Sequence, residues 1–342
     1  MSSVAAIVLA AGKGTRMKSS RAKVTFPLAD KPMLQRVVDT AVKLDCSKIA
    51  VVVGFQKESV IACLEEDERL EFVEQTEQLG TGHAVSICEP SFQDFDGDII
   101  ILCGDVPLLR AETIRELYSQ HIGSGAVCTV LTAVLEDAGR YGRILRDQDG
   151  KVCGIVEYKD ATEAQRAIGE FNTGIYVFNS RELFRVLKLT SNTNQQGEYY
   201  LTDCLGLFYK EGKTVSSVVL EDLMEVAGVN SQEQLAELED VYLDRIRKHW
   251  LNNGVVMHNP ASIHIGDEVT IEQDVEIDAG TIIKGHTEIE RDVKIGPNCL
   301  IIDSKIAQDS ILRGYNVLIN AIVHEAEELD YMLCHEDEAF TE

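Results

Sequence analysis

Two rhythms of apolar residues divide this chain. Up to residue 230, short unbroken apolar runs alternate with stretches whose apolar positions recur every three or four residues. Residues 4–9, 49–53, 70–73 and 98–103 are such runs, and each reads as a buried strand. Between them, Leu34, Val37, Val38, Ala41 and Val42 mark one face of a helix over 33–44, and another helix is expected near 58–65. This alternation is the grammar of a parallel, doubly wound α/β sheet, which binds ligands beyond the carboxyl ends of its strands. Residues 126–134, 152–156 and 175–178 predict more strands, and Asp147-Gln148-Asp149-Gly150 a hairpin turn. Ser231 and Gln234 form a capping box that opens a linking helix over 231–253.

After Gly254 the rhythm changes. Ile265, Ile271, Ile277, Ile283, Ile289, Ile295 and Ile301 recur every sixth residue. Four positions after each stand Val269, Val275, Thr281, Thr287, Val293, Cys299 and Lys305. Hexapeptide spacing of this kind marks a parallel β-helix, here about three coils within 254–323. So short a prism has open ends, and self-association, as a homotrimer, is the expected way to protect them. The six-residue ruler fails at Lys305, Ala307 and Arg313. Residues 324–342 are rich in Asp and Glu and are expected to form a frayed acidic tail.

Composition narrows the partners. Among 342 residues the formal net charge is −25, which argues against nucleic acid or an acidic membrane surface as a partner. No apolar run is long enough to span a membrane and no secretion leader is seen. The nine cysteines include no C-x-x-C pair, so reduced, mostly buried thiols in a cytoplasmic protein are expected. A site for phosphorylated substrates in so acidic a chain must gather its few cations locally and recruit a metal.

Candidate chemistry clusters at the strand ends. The first strand runs into Leu9-Ala10-Ala11-Gly12-Lys13-Gly14-Thr15-Arg16, followed by Lys23. Glycines there let backbone N–H groups approach a phosphate or base edge, and the cations suit developing phosphoryl charge. A dinucleotide fold needs a third Gly where Met17 stands, and a P-loop needs a different spacing, so both are set aside. A solvated glycine turn is the plain alternative for this segment taken alone. The third strand leads to Gln75 and then Gly80-Thr81-Gly82-His83, where an amide can read a base edge. Asp105 follows Cys103-Gly104 at the end of the next strand and suits a hard cation such as Mg²⁺. Gly142, Glu157 and Asn172, on three successive extended segments, are groups that hold sugar hydroxyls and an N-acetyl amide. Asn230, just before the linking helix, offers a second oxygen to the metal.

These motifs, in this order, resemble the bacterial bifunctional N-acetylglucosamine-1-phosphate uridylyltransferase/glucosamine-1-phosphate acetyltransferase family. The resemblance rests on Leu9 to Arg16, Gln75 to Ala84, Gly104 to Leu108, Tyr141-Gly142-Arg143-Ile144, Gly154 to Glu157, Asn172-Thr173-Gly174, Gly197 to Asp203 and Gly228-Val229-Asn230. It implies a Rossmann-like nucleotidyltransferase domain over 1–230 and, beyond the linking helix, a short left-handed parallel β-helix. It also implies that UTP and N-acetylglucosamine 1-phosphate are the substrates. By the same resemblance Leu9, Ala10, Ala11, Gly12, Gln75 and Gly80 receive uracil, with Thr81, Cys103 and Gly104 lining the pocket. Gly142, Glu157 and Asn172 would hold the sugar, Asp105 and Asn230 would bind Mg²⁺, and Arg16 and Lys23 would face the phosphates. Ala22 stands where the family often has Pro, which would loosen the loop. The family's acetyltransferase site lies on later coils, so uridylyl transfer without acetyl transfer is expected. Another base or sugar phosphate, or a non-catalytic sugar-nucleotide-binding scaffold, are the alternatives.

Overall fold

The computed structural model describes residues 3–336. Contacts divide the chain into two compact units, with the boundary between Leu235 and Ala236.

The first unit is built on a nine-stranded sheet. Its strands are β1 (Ser3–Leu9), β2 (Ile49–Val53), β3 (Leu70–Glu74), β4 (Gly97–Cys103), β5 (Cys128–Val134), β6 (Arg143–Arg146), β7 (Val152–Val156), β8 (Glu170–Asn179) and β9 (Val215–Leu220). The main order is β9-β5-β8-β4-β1-β2-β3, with β6 and β7 pairing at its margin. The unbroken apolar runs have a direct cause, since both faces of the sheet are covered. Ala6 and Val8 of β1 enter one core layer, whereas Ala5 and Ile7 enter the other.

The sheet is mixed rather than wholly parallel. β1 runs parallel to β2 and β4, and β9 parallel to β5. β8 is antiparallel to both β4 and β5. The reason lies in the segment between β5 and β8, where β6 and β7 form an antiparallel pair and β8 meets β6 antiparallel in turn. The chain therefore re-enters the main sheet from the opposite end instead of through a helical crossover. β8 also starts earlier than its apolar run, so Asn172 and Gly174 lie inside it. The register shifts between Asn172 and Tyr176, and Gly174 takes a φ of 83°. The helix expected near 58–65 is confined to Lys57–Ile61.

β1 lies between β4 on one side and β2 on the other, so connections leave it in both directions. The cleft beyond the carboxyl ends of β1 and β4 is the switch point at which open α/β sheets bind ligands. Leu9 and Cys103, the last residues of these strands, are register partners.

Helix Gln232–Asn252 starts before the boundary between the units, and the second unit carries three parallel sheets of five, five and four short strands. The buried ladder follows the expected isoleucines as far as Ile301, then continues through Ile306, Leu312, Leu318, Val323 and Leu329. Coils therefore run on past Asn320 and through Cys334–Glu336, where a frayed tail was expected. Residues 337–342 lie outside the described residues. The ruler failed because the coils shorten. Ile271 pairs with Ile289, eighteen residues on, but Ile289 pairs with Ile306, seventeen on. Asp303 and Asn320 turn the shortened corners with φ near 50°. The small buried rung accordingly falls on Ser304 rather than Lys305, and Arg313 is exposed.

Candidate active site

Four side chains from three distant segments converge beyond β1 and β4. Arg16 Nη2 donates to Asn230 Oδ1 at 2.7 Å. Lys23 Nζ donates to the same oxygen at 3.2 Å and also pairs with Asp105 Oδ2. Lys23 can reach back because Gly14 holds a φ of 56°; a Cβ there would lie 2.6 Å from the Cβ of Lys23. The backbones are tied as well. Val229 N donates to Asp105 O at 3.0 Å, and Gly104 N to Leu9 O at 3.0 Å. Gly104 must be small, since a Cβ would meet Leu34 at 3.0 Å and Leu9 O at 3.1 Å.

The capping pair before the linking helix works differently from the capping-box expectation. Ser231 Oγ accepts from Gln234 N at 3.2 Å, but the Gln234 carboxamide accepts from Asn230 N at 2.9 Å. The helix start thus holds the backbone of Asn230 itself.

On the other side of β1, the Gly12 position is open: a Cβ would meet nothing within 4 Å. Gln75 is buried and donates from Nε2 to Gly80 O at 3.2 Å, while His83 Nδ1 lies 3.1 Å from the same nitrogen. Its Oε1 takes no hydrogen bond among the described residues, so it is presented as an acceptor. Gln78, absent from the sequence expectation, donates to Ala11 O at 2.6 Å and braces the glycine loop. Gly80 takes a φ of 108°, and a Cβ there would lie 2.5 Å from Tyr199 O. The Thr81 hydroxyl accepts from Leu201 N at 3.2 Å. That bond ties the 199–201 segment to Thr81 and leaves the hydroxyl's own O–H as a donor.

The third group is Gly142, Glu157 and Asn172. Asn172 N donates to Gly142 O at 2.9 Å, and a Cβ on Gly142 would lie 3.4 Å from Glu157 Oε2. All three residues are therefore neighbours. Asn172 Oδ1 accepts from Tyr176 Oη at 2.9 Å and from Gly174 N at 3.0 Å, which fixes the amide and turns its NH₂ outward as a donor. Thr202 Oγ1 donates to Glu157 Oε1 at 3.0 Å. Burial, reinforced by Asp160, Asp203 and Glu198, raises the Glu157 carboxyl above the usual range despite that bond. A 220 Å³ cavity adjoins it, lined in part by Val156, Asp160 and Tyr200. Arg143 is buried and donates to Gly139 O at 2.9 Å, to Arg166 O at 3.2 Å and also to Tyr141 O. A charged side chain at the head of an apolar strand was the available signal for this brace.

Burial pushes the Cys103 thiol up to about 12, so it stays neutral. Its sulfur packs against Gly174, 3.5 Å from the carbonyl oxygen. Ala22, expected to loosen its loop, is buried and donates its backbone N–H to Gln56 Oε1 at 2.9 Å. A proline lacks that donor, so a hydrogen bond replaces its rigidity.

Whether a divalent ion suits this place can be judged from the donors. Among the described residues no group of three or more His, Cys, Asp or Glu side chains comes together. Asp105 and Asn230 nonetheless aim two hard oxygens at one point, and the Lys23 ammonium occupies it as a built-in cation. Two protein oxygens plus water and substrate phosphates is the usual setting of Mg²⁺. The residues fit such an ion.

Sheet, switch-point cleft and convergent cations define a nucleotidyltransferase, here joined to hexapeptide coils. A family profile described as Nucleotidyl transferase matches residues 5–254, and one described as Bacterial transferase hexapeptide (six repeats) matches residues 268–303. The second match ends at Asp303, where the coils first shorten. The Bifunctional protein GlmU of Geobacillus sp. (strain WCH70) is 43% identical over 322 residues, covering 94% of this chain and 68% of the relative. Those of Brevibacillus brevis and Exiguobacterium sibiricum are each 44% identical, over 323 and 308 residues, covering 94% and 90% of this chain and 69% and 68% of the relatives. The chain belongs to the GlmU family, and is an enzyme of the nucleotidyltransferase class. No helix among the described residues is long and apolar enough to cross a membrane.

Proposed function

We propose that this chain transfers the uridylyl group of UTP to N-acetylglucosamine 1-phosphate, releasing pyrophosphate and forming UDP-N-acetylglucosamine in the cytoplasm. The observation that carries this reading is the Arg16–Asn230–Lys23–Asp105 cluster at the switch point, flanked by an amide-bearing loop on one side and the Gly142–Glu157–Asn172 trio on the other. The attacking oxygen belongs to a phosphate monoester already ionised near neutral pH, so the reaction needs no general base. The protein's task is to align that oxygen with the α-phosphorus and to hold the charge that develops on the pyrophosphate.

Each group has a part. Gln75 Oε1 presents an acceptor to the N3–H of uracil, a donor that cytosine lacks. Asn172 offers its NH₂ to an acceptor on the sugar. Glu157, braced by Thr202, accepts from a hydroxyl. Asp105 and Asn230 would hold Mg²⁺, which when bound neutralises phosphate charge. Arg16 and Lys23 then turn from Asn230 and Asp105 toward the phosphates.

Pyrophosphate release, measured with each nucleoside triphosphate against each sugar 1-phosphate, tests the reading. Turnover should be fastest by at least tenfold for UTP with N-acetylglucosamine 1-phosphate. Fastest turnover with another pair would move the assignment to a different sugar-1-phosphate nucleotidylyltransferase. No turnover with any pair would leave a sugar-nucleotide-binding scaffold. The coils, in this reading, assemble a homotrimer and carry out no acetyl transfer. Ile282, Leu300 and Val317 stack in register along one sheet as its outward positions, and Ile302 and Ile319 stack beside them. Sedimentation should give three times the 37.9 kDa chain mass. Acetyl-coenzyme A with glucosamine 1-phosphate should release no coenzyme A.

A further inference from the structure

Glu225 is fully buried, and its carboxylate belongs to no part of the substrate cleft. It sits at the start of helix Ala111–Ser124, more than a hundred residues away along the chain. That helix lacks a side-chain cap of its own, since its N-cap residue, Arg110, offers none. Glu225 fills the gap from outside. Oε2 accepts from Arg110 N at 3.2 Å and from the Thr113 hydroxyl at 2.6 Å. Oε1 accepts from Arg110 Nε at 2.7 Å and from Arg110 Nη2. A carboxylate at a helix N-terminus, bound twice by one guanidinium, is held on every side by donors and by the helix dipole.

The placement of this contact along the chain gives it meaning. Arg110 ends the loop that holds Asp105, and Glu225 lies in the short 3₁₀ turn Leu223–Val226, from which a loop runs to Asn230. The two loops are joined at one end by Glu225 and Arg110, and near the other by the hydrogen bond from Val229 N to Asp105 O. At the second tie stand the two oxygens on which the Lys23 ammonium converges: Asp105 is one of its partners, and Asn230 directly follows Val229, the other. Metal sites depend on partners that orient their ligands, and removal of such partners typically costs about 10–100-fold in affinity.

We propose that Glu225 is a positioning residue that holds the Asp105 and Asn230 loops in register and so sets the affinity of the cation site between them. The inference rests on the reading of Asp105 and Asn230 as metal ligands given above. Glu225 touches neither substrate nor ion; it acts through the two loops.

The test is Mn²⁺ binding to the full chain without nucleotide, followed by electron paramagnetic resonance of the free ion. Asp105→Ala serves as reference. Glu225→Gln keeps the volume but loses the charge and replaces one acceptor with a donor facing Arg110. It should bind Mn²⁺ about tenfold more weakly. Its activity should need correspondingly more Mg²⁺ while KM for UTP at saturating Mg²⁺ stays near the wild-type value. A buried group with only a structural role would lower Tm and leave the Mn²⁺ affinity unmoved. Thr113→Val removes one donor with little change of shape and decides the matter should Glu225→Gln fail to fold; a loss of about threefold is expected there. If Asp105→Ala abolishes Mn²⁺ binding while the two latch variants stay within twofold of wild type, the positioning role is wrong. If Asp105→Ala binds Mn²⁺ like the wild type, the metal reading itself has failed.

Discussion

Lys23→Met should tighten metal binding to the free protein while crippling turnover. On the proposed reading, the ammonium of Lys23 and a divalent ion compete for the same two oxygens, Asp105 Oδ2 and Asn230 Oδ1, both of which Lys23 contacts. Its side chain is 12% exposed and that of Asp105 25%, so solvent screens the pair only partly. Displacing a hydrogen bond that involves a charged group costs about 1.5–3 kcal/mol, and partial exposure favours the lower end. Removing the competitor should therefore tighten Mn²⁺ binding without nucleotide by about tenfold, one decade per ~1.4 kcal/mol. In the absence of metal the same change leaves Asp105 without its ammonium, so Tm in EDTA should fall and added metal should restore more of it than in the wild type. On the proposed mechanism the ammonium acts at the phosphates in turnover, so kcat should drop by about 10²–10³. Paramagnetic titration of free Mn²⁺ gives the affinity and pyrophosphate release the rate. A Lys23→Met protein that binds Mn²⁺ no tighter than wild type would show that the ammonium does not mark the cation position.

Other consequences follow from the same geometry. Arg16→Ala, at an exposed side chain that among the described residues bonds only Asn230, should lose kcat by about 10²–10³ with Tm unchanged, and full activity would remove Arg16 from the phosphate site. Glu157 carries a raised carboxyl pKa, so its neutral form is favoured on folding. Its share of stability is complete below the ordinary glutamate range and is lost as pH rises through the raised value. Glu157→Gln should then melt higher than wild type at pH 7–8 and draw level near pH 4, while KM for the sugar phosphate rises; parallel melting curves at all pH values would contradict this. In the coils, Ile306→Ala should cost about 2–5 kcal/mol in denaturant unfolding, whereas Arg313→Ala should cost less than about 0.5 kcal/mol. An unbroken six-residue register would place Arg313 inside and reverse that order.

The first tier of the fold and candidate site was legible because its signals are local. A strand buried on both faces must be an unbroken apolar run, so its end is visible in the sequence, and chemistry in such sheets gathers at strand ends. Leu9, Gln75, Cys103 and Asp105 were found in this way, and the structure brings their loops to one rim. The direction of β8 was not legible, because an antiparallel entry and a helical crossover leave the same apolar pattern in the strand itself. The coils show a similar limit. Dropping one residue at Asp303 shifts every later inward position, and a fixed ruler then reads the outward Arg313 as core.

The second tier escaped for a different reason. Gln78, Gln56 and Glu225 look like ordinary polar residues in loops and short helices, and each acts through long-range hydrogen bonds, with Ala11, with Ser20 and Ala22, and with Arg110 and Thr113 respectively. Nothing in their own neighbourhood requires the partner; topology supplies it. Glu225 is the sharpest case, since a fully buried carboxylate is tolerated only where donors surround it. Those donors come from the head of a helix that follows Asp105. The residues proposed to touch the reaction are thus anchored by residues outside that set, and only the chain's path through the sheet places the two groups side by side. Cation affinity in this site should accordingly respond to substitutions at Thr113 and Glu225 in the buried cap, though neither faces the cleft.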